Sequence, residues 1–250
     1  MTTLALTFNF PLSPNYIYHF RGAFIDLIRK SNLNDYEKQI FGNREIQSQN
    51  SNIYIGSNIT QYPRIQYRVV NGHAAICALN EGVEVMEKLI QADVLERFTI
   101  QGQNIPLLPL TWTRKTEHAI SIVDGLDYEY IISDYIPFHH KSDHEYHKLP
   151  TFHDKINLLN DKISHGISLS LIELNVIQSR EFIRVEILDF ISKGSAGFKT
   201  KDESRNIIKN YTKKYTLQIR SNILLPDGFS IGLNKAYGYG VINRIQNNVH

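Results

Sequence analysis

The 250-residue chain is poor in sulfur, with one cysteine and two methionines, and it has a single tryptophan. The lone thiol, Cys77, sits in an apolar run. It excludes an internal disulfide framework and suits a reducing cytosol. No apolar run approaches the roughly 20 residues that a membrane-crossing helix needs. The N-terminus lacks the basic stretch and long apolar segment of a secretory signal. A cytoplasmic protein with no membrane partner is therefore expected. Charge of one sign is also scarce: the formal net charge is +2. Charge alone thus declares no nucleic-acid binder. What is present is a hydrophobic content of 42%, ample for packed cores. Basic residues cluster locally, at Arg29 and Lys30, Arg64 and Arg68, Lys209 with Lys213 and Lys214, and Arg220.

The most distinctive stretch lies near the C-terminus. Glycines at 228, 232, 238 and 240 interrupt a run that otherwise reads as strand, with Lys235 among them and Arg244 just beyond. Glycine permits positive φ and close backbone approach. Clustered glycines beside a lysine can turn backbone N–H groups toward an anion. The same glycines can equally serve only a tight turn. No Gly-Lys-Ser/Thr follows and no long helix opens, so neither a Walker loop nor a dinucleotide fingerprint is present.

Residues 3–10 alternate as a strand with one buried face. From Ile17 to Arg29 the apolar residues Phe20, Phe24, Leu27 and Ile28 recur at helical spacing. Residues 32–62 are polar and long for a connection, and they carry Tyr36, Lys38 and Arg44. Two strand patterns, 63–70 and 73–79, flank Asn71-Gly72, a strong hairpin signal. Arg64, Gln66 and Arg68 then share one strand face. A helix over Glu81–Gln91 and a strand over 94–100 complete the order of a ferredoxin-like βαββαβ unit. The pattern restarts near Gly102–Pro109. Strands are expected at 118–123 and 127–136 around Asp124-Gly125, a helix from Phe152 to Leu174, and a strand over 181–190. A loop over 193–206 and a strand over 211–224 precede the glycine segment. The economical reading is α+β, with one unit over 1–103 and a second over 104–250 that carries the glycine-rich loop.

Gly232-Leu-Asn-Lys-Ala-Tyr-Gly-Tyr-Gly-Val-Ile242 resembles the glycine-rich signature of the RAMP superfamily, and most closely its CRISPR repeat-processing endoribonucleases, the Cas-six family. The similarity extends through Phe20-Arg-Gly-Ala-Phe24, through residues 62–76 and 80–84, and through the long helix. It implies tandem ferredoxin-like (RRM-like, RAMP) domains that bind CRISPR repeat RNA and cleave it without metal or cofactor. The ribose 2′-OH would attack the adjacent phosphate and leave a 2′,3′-cyclic phosphate. Such chemistry needs a base, an acid and a cation for the developing charge. Family members commonly place a histidine in the loop after the first helix, but residues 32–62 contain none. With cleavage lost, the same fold would hold processed RNA within an effector complex.

The residues expected to carry catalysis are Tyr36, Lys38 and His19. His19 serves either as acid or base or as a helix residue packed on the sheet. Those expected to contact RNA are Arg21, Arg64, Arg68, Gly232, Lys235, Gly238, Gly240 and Arg244; phosphate contacts of this kind supply position rather than sequence specificity. The run from Phe138 to His147 places His140, His144 and His147 at helical spacings that could align metal ligands. It lacks the His-Glu-x-x-His order and reads as a polar connector, so no metal site is expected.

Overall fold

A computed structural model describes residues 1–41, 62–126, 128–201 and 207–245. Two compact units form. The first comprises Met1–His118 together with Ala236–Gly238, and the second the remainder. The sequence reading divides the chain at 103, whereas residues 104–118 lie in the first unit. Among the described residues, no helix is long and apolar enough to cross a membrane.

The first unit runs β1 (Thr2–Pro11), α1 (Ile17–Arg29), α2 (Asp35–Phe41), β2 (Ile65–Val70), β3 (His73–Leu79) and α3 (Glu81–Gln91). A tight helical turn (Val94–Arg97), a small hairpin of β4 (Thr99–Ile100) and β5 (Gln103–Asn104), and β6 (Pro109–Glu117) complete it. The antiparallel sheet has the order β2-β3-β1-β6. Numbering these four strands in chain order gives 4-1-3-2, the ferredoxin-like arrangement. Asn71 and Gly72 both take positive φ, as the hairpin signal requires. The fourth strand, however, is 109–117 and not the expected 94–100. Val94, Leu95 and Phe98 are all buried. That i, i+1, i+4 spacing suits a helical turn, because one face of a strand cannot bury adjacent residues. Phe20 and Phe24 of α1 meet Tyr67 and Phe98 with ring centroids 5.6–6.4 Å apart, within the favourable range for aromatic pairs.

Part of the polar stretch after α1 is helical. Asn34 and Glu37 cap α2 reciprocally: the Glu37 N–H donates to Asn34 Oδ1 at 2.9 Å, and the Asn34 N–H donates to Glu37 Oε2 at 3.0 Å. The half-buried Lys38 and exposed Tyr36 sit on this helix. Arg44 lies outside the described residues.

The second unit contains β7 (Ser121–Ile122), β8 (Tyr128–Tyr135), α4 (His140–His147), α5 (Phe152–Glu173), β9 (Val185–Lys201), β10 (Ile207–Ser221), β11 (Ile223–Leu224), β12 (Phe229–Ser230) and β13 (Val241–Arg244). Its main sheet has the order β12-β13-β8-β10-β9. With β8, β9, β10 and β13 taken as the four strands, the 4-1-3-2 order recurs, and α5 is the crossover helix. Thr151 and Asp154 form a capping box at the start of α5, and Leu159, Ile163 and Ile167 are buried along it. Two expectations fail. The expected Asp124-Gly125 hairpin does not form, because β7 pairs with β11 and not with β8. The expected loop over 193–206 is strand as far as Lys201, paired with β10 throughout. Its Gly/Ser composition reads as loop, yet Gly194 faces Lys214, whose stem carbon Cε lies 3.1 Å from where a glycine Cβ would be. Here the missing side chain makes room for a cross-strand neighbour.

The glycine segment is bound into these elements by its backbone. The Leu233 N–H donates to the Ile136 carbonyl at 3.0 Å, and the Ile231 N–H to the Gly240 carbonyl at 3.0 Å. A Cβ on Gly240 would lie 1.9 Å from the Ile231 carbonyl oxygen, at a φ of +66°. Gly240→Ala should therefore cost about 3 kcal/mol or more, visible as a lowered urea midpoint. An unchanged midpoint would contradict the close approach.

Tyr67 is fully buried, and among the described residues its hydroxyl has no hydrogen-bond partner. Tyr67→Phe should leave stability unchanged or raise it by up to about 1 kcal/mol, because an unmatched hydroxyl costs desolvation and returns nothing. Burial also raises the phenol pKa of Tyr67, Tyr135 and Tyr215, and pushes that of Tyr130 up to about 12. The folded state thus holds these protons to higher pH than the unfolded chain. Their contribution is whole below about pH 10 and is lost as pH climbs through the raised values. A series of urea midpoints should begin to fall from this cause only above about pH 10.

Candidate nucleic-acid interface

Three of the residues expected to contact RNA, Arg21, Arg68 and Gly238, fall together in the first unit with Tyr237 beside them. Tyr237, between Ala236 and Gly238, packs against Tyr18 with ring centroids 4.3 Å apart and the rings tilted by 42°. The Arg21 guanidinium lies 5.2 Å from the centre of the Tyr237 ring, a cation–π distance. Gly238 has a φ of +77°, and a Cβ there would lie 3.2 Å from the Tyr67 carbonyl oxygen and 3.3 Å from Arg68 Cγ. Burial is the main cause of the raised Tyr67 pKa; the Arg21 charge opposes it and the Tyr237 phenol adds to it. Arg21, Arg68, Gly238 and Tyr237 therefore form one aromatic and cationic cluster beside α1. Tyr237 itself was not singled out as a site residue, although the flanking glycines of its Tyr-Gly-Tyr-Gly run marked the place.

The row Arg64, Gln66 and Arg68 is half-buried to fully buried. Gln66 is fully buried; its Nε2 donates to the Tyr62 hydroxyl at 3.0 Å, and its amide oxygen accepts from Arg68. Arg64 Nε donates to Glu81 Oε2 at 2.9 Å, and a further guanidinium N–H to the Tyr62 carbonyl at 3.4 Å. These arginines are oriented by protein partners. A guanidinium has five donors, so this does not exhaust their capacity toward phosphate.

His19 is exposed on the outer side of α1, while Phe20 faces the sheet. It does not pack against the sheet. Its ring centroid lies 5.9 Å from that of Tyr16, and it lines a groove of ≈ 450 Å³ between α1 and the β4–β5 turn. Tyr36 is 65% exposed on α2. Its neighbour Glu37 is held below the ordinary carboxylate pKa, first by the Lys88 ammonium that donates to it and then by the Asn34 N–H. Among the described residues, no hydrogen bond, ion pair or ring contact joins any two of His19, Tyr36 and Lys38.

In the second unit, Lys235 turns inward and its Nζ donates to Ser170 Oγ on α5 at 3.4 Å. Burial lowers its pKa, and the Glu173 charge works against that shift. Gly232 takes a φ of +82°, and a Cβ on it would lie 2.7 Å from the Tyr135 ring. The Arg244 guanidinium sits 5.2 Å from the Tyr128 ring centre, and the Arg244 N–H donates to Asp227 at 2.6 Å. Each of Gly232, Gly238 and Gly240 thus has a reason within the fold, which is the turn alternative of the sequence reading. In the histidine-rich helix, His147 Nε2 lies 3.6 Å from Asp143 Oδ2. Among the described residues, no three His, Cys, Asp or Glu side chains stand together as a metal site.

Residues 1–117 match the family model of the Cas6b N-terminal domain. Two solved structures resemble the chain over 98% of its length and 100% of their own. One is a crystal structure of Cas6b, with a TM-score of 0.67 and 15% identity. The other is a crystal structure of the CRISPR RNA processing endoribonuclease Cas6b, with a TM-score of 0.60 and 14% identity. A type IV Cas6 crRNA endonuclease, Csf5, aligns at a TM-score of 0.54 and 12% identity. At such identities the likeness is one of fold. No curated protein sequence matches the chain. Residues 1–117 match the Cas6b N-terminal domain, and over nearly its whole length the chain has the fold of the solved Cas6b structures.

Proposed function

We propose that the protein binds CRISPR repeat RNA and cleaves it without metal. The observation that carries this reading is the match of residues 1–117 to the Cas6b N-terminal domain. In the reaction a base removes the 2′-OH proton and the 2′-oxygen attacks the adjacent phosphorus. The bond from phosphorus to the 5′-oxygen breaks, and an acid protonates that oxygen. The products are a 2′,3′-cyclic phosphate and a 5′-OH. His19 is suited to acid or base work, because an imidazole can give or take a proton and this one is exposed in a groove. Tyr36 and Lys38 are the further candidates for proton transfer or charge stabilisation. The cations proposed to hold the RNA are Arg21, Arg64, Arg68, Lys235 and Arg244, and Gly232, Gly238 and Gly240 shape the backbone that presents them.

A second reading has a specific observation in its favour: the three candidate catalytic side chains have no direct link to one another among the described residues. On that reading the chain holds processed RNA for an effector complex and does not cut.

Repeat RNA incubated with the protein in EDTA should be cut to a product with a cyclic-phosphate end, and a 2′-deoxy substitution at the cut should abolish the reaction. His19→Ala should lower the single-turnover rate about 10²- to 10⁴-fold while binding is retained. Tight binding with both RNAs intact would favour the holding role. Loss of cutting in EDTA that returns with a divalent ion would overturn metal independence.

Affinity should also fall with salt. Contacts to single-stranded phosphates lower the slope of log K against log salt by about 0.7 each, so engagement of all five cations predicts a slope near −3.5. A flat response between low and high salt would count against phosphate binding.

A further inference from the structure

We propose that the groove between α1 and the β4–β5 turn is a subsite for one nucleotide of single-stranded RNA, with its base against Tyr18 and its phosphate at Lys30. This rests on the RNA-binding reading above and gives it a location.

The groove is lined by Tyr18, His19, Gly22 and Lys30 of the first helix region and by Gln101 and Gly102 of the turn. At ≈ 450 Å³ it falls within the size range of small-ligand sites. Tyr18 is 38% exposed, and the tilted Tyr237 ring packed against it restricts its rotation. A restricted ring loses little freedom on receiving a base, and aromatic stacking tolerates any base. Lys30, exposed at the C-terminal end of α1, provides a compact charge for a phosphate. Asp26 also lines the groove, but Arg29 pairs with it at 3.0 Å and offsets its repulsion of an anion. The turn is held in its tight shape by positive φ at Gln101 and Gly102.

Gly22 provides the sharpest argument. It lies in the middle of α1 with ordinary helical φ, and among the described residues a Cβ built on it meets nothing within 4 Å. Glycine weakens a helix interior relative to alanine. Gly232, Gly238 and Gly240 have positive φ and close neighbours, so the fold requires them. At Gly22 none of the described residues requires it. A glycine at the wall of a groove leaves the helix backbone open to close approach by a ligand.

The test uses fluorescence anisotropy with repeat RNA carrying a 2′-deoxy at the cut site, so that binding is read without cleavage. Gly22→Ala and Gly22→Leu are compared with the unaltered protein and with Lys30→Ala, each over a salt series. Because the helix gains by either change, Gly22→Ala should raise Tm by about 2–4 °C. Gly22→Leu should weaken RNA binding tenfold or more while the protein stays folded. Lys30→Ala should make the salt slope shallower by about 0.7. If the unaltered protein binds and Gly22→Leu binds equally well, the subsite is wrong and the RNA reading stands. If Gly22→Leu is destabilised, Lys30→Ala decides: an unchanged slope overturns the subsite. If the unaltered protein does not bind repeat RNA, both readings fall.

Discussion

The close backbone approach around residues 231–240 is the constraint on which the remaining arrangement depends. Gly240 is forced by the Ile231 carbonyl, Gly232 by the Tyr135 ring, and Gly238 by the Tyr67 carbonyl. Each takes a positive φ, which a β-carbon would penalise. In the first unit, Tyr237 meets Tyr18 and Arg21, and Gly238 lies against the strand that carries Tyr67.

The same economy runs through the cations. Arg64 is oriented by Glu81, Arg68 by Gln66, Arg21 by Tyr237 and Lys235 by Ser170. Holding a long side chain in one rotamer costs conformational entropy that a ligand would otherwise have to offset on binding. Protein partners that orient these groups beforehand leave less to be ordered when an anion arrives. Lys235 differs from the arginines, because burial lowers its pKa and Glu173 is what keeps its charge favourable. His19 differs again: it is exposed, and its groove rather than a fixed partner defines its surroundings.

Local pattern made much of the fold legible. Helix α1 follows from Phe20, Phe24, Leu27 and Ile28, and the β2–β3 hairpin from Asn71-Gly72. Helix α3 and the long α5 lie where periodicity puts them. The resemblance in the glycine segment, in residues 20–24 and in residues 62–76 pointed to the family whose N-terminal domain model residues 1–117 match. The misplaced pieces share a cause. Residues 94–100 were read as strand because they are apolar, but Val94, Leu95 and Phe98 are buried at helical spacing. Residues 193–201 were read as loop because Gly and Ser are frequent, but β10 offers a partner along their whole length. Gln66 shares the expected strand face with Arg64 and Arg68, yet it lies fully buried against Tyr62 and Arg68.

Sequence by itself determined the periods of the helices, the turn at Asn71-Gly72, the lack of a disulfide framework and the unusual density of glycine near the C-terminus. All of these are fixed by residues within a few positions of one another, where propensity and φ preference act. Tertiary structure alone decided which strand pairs with the free edge of β1, that Gln66 is buried, and that Tyr237 belongs with Tyr18 and Arg21. It also separated the glycines that the fold consumes from Gly22, which none of the described residues requires. Those outcomes depend on groups far apart in the chain competing for the same buried surface, and no local pattern records which of them prevails.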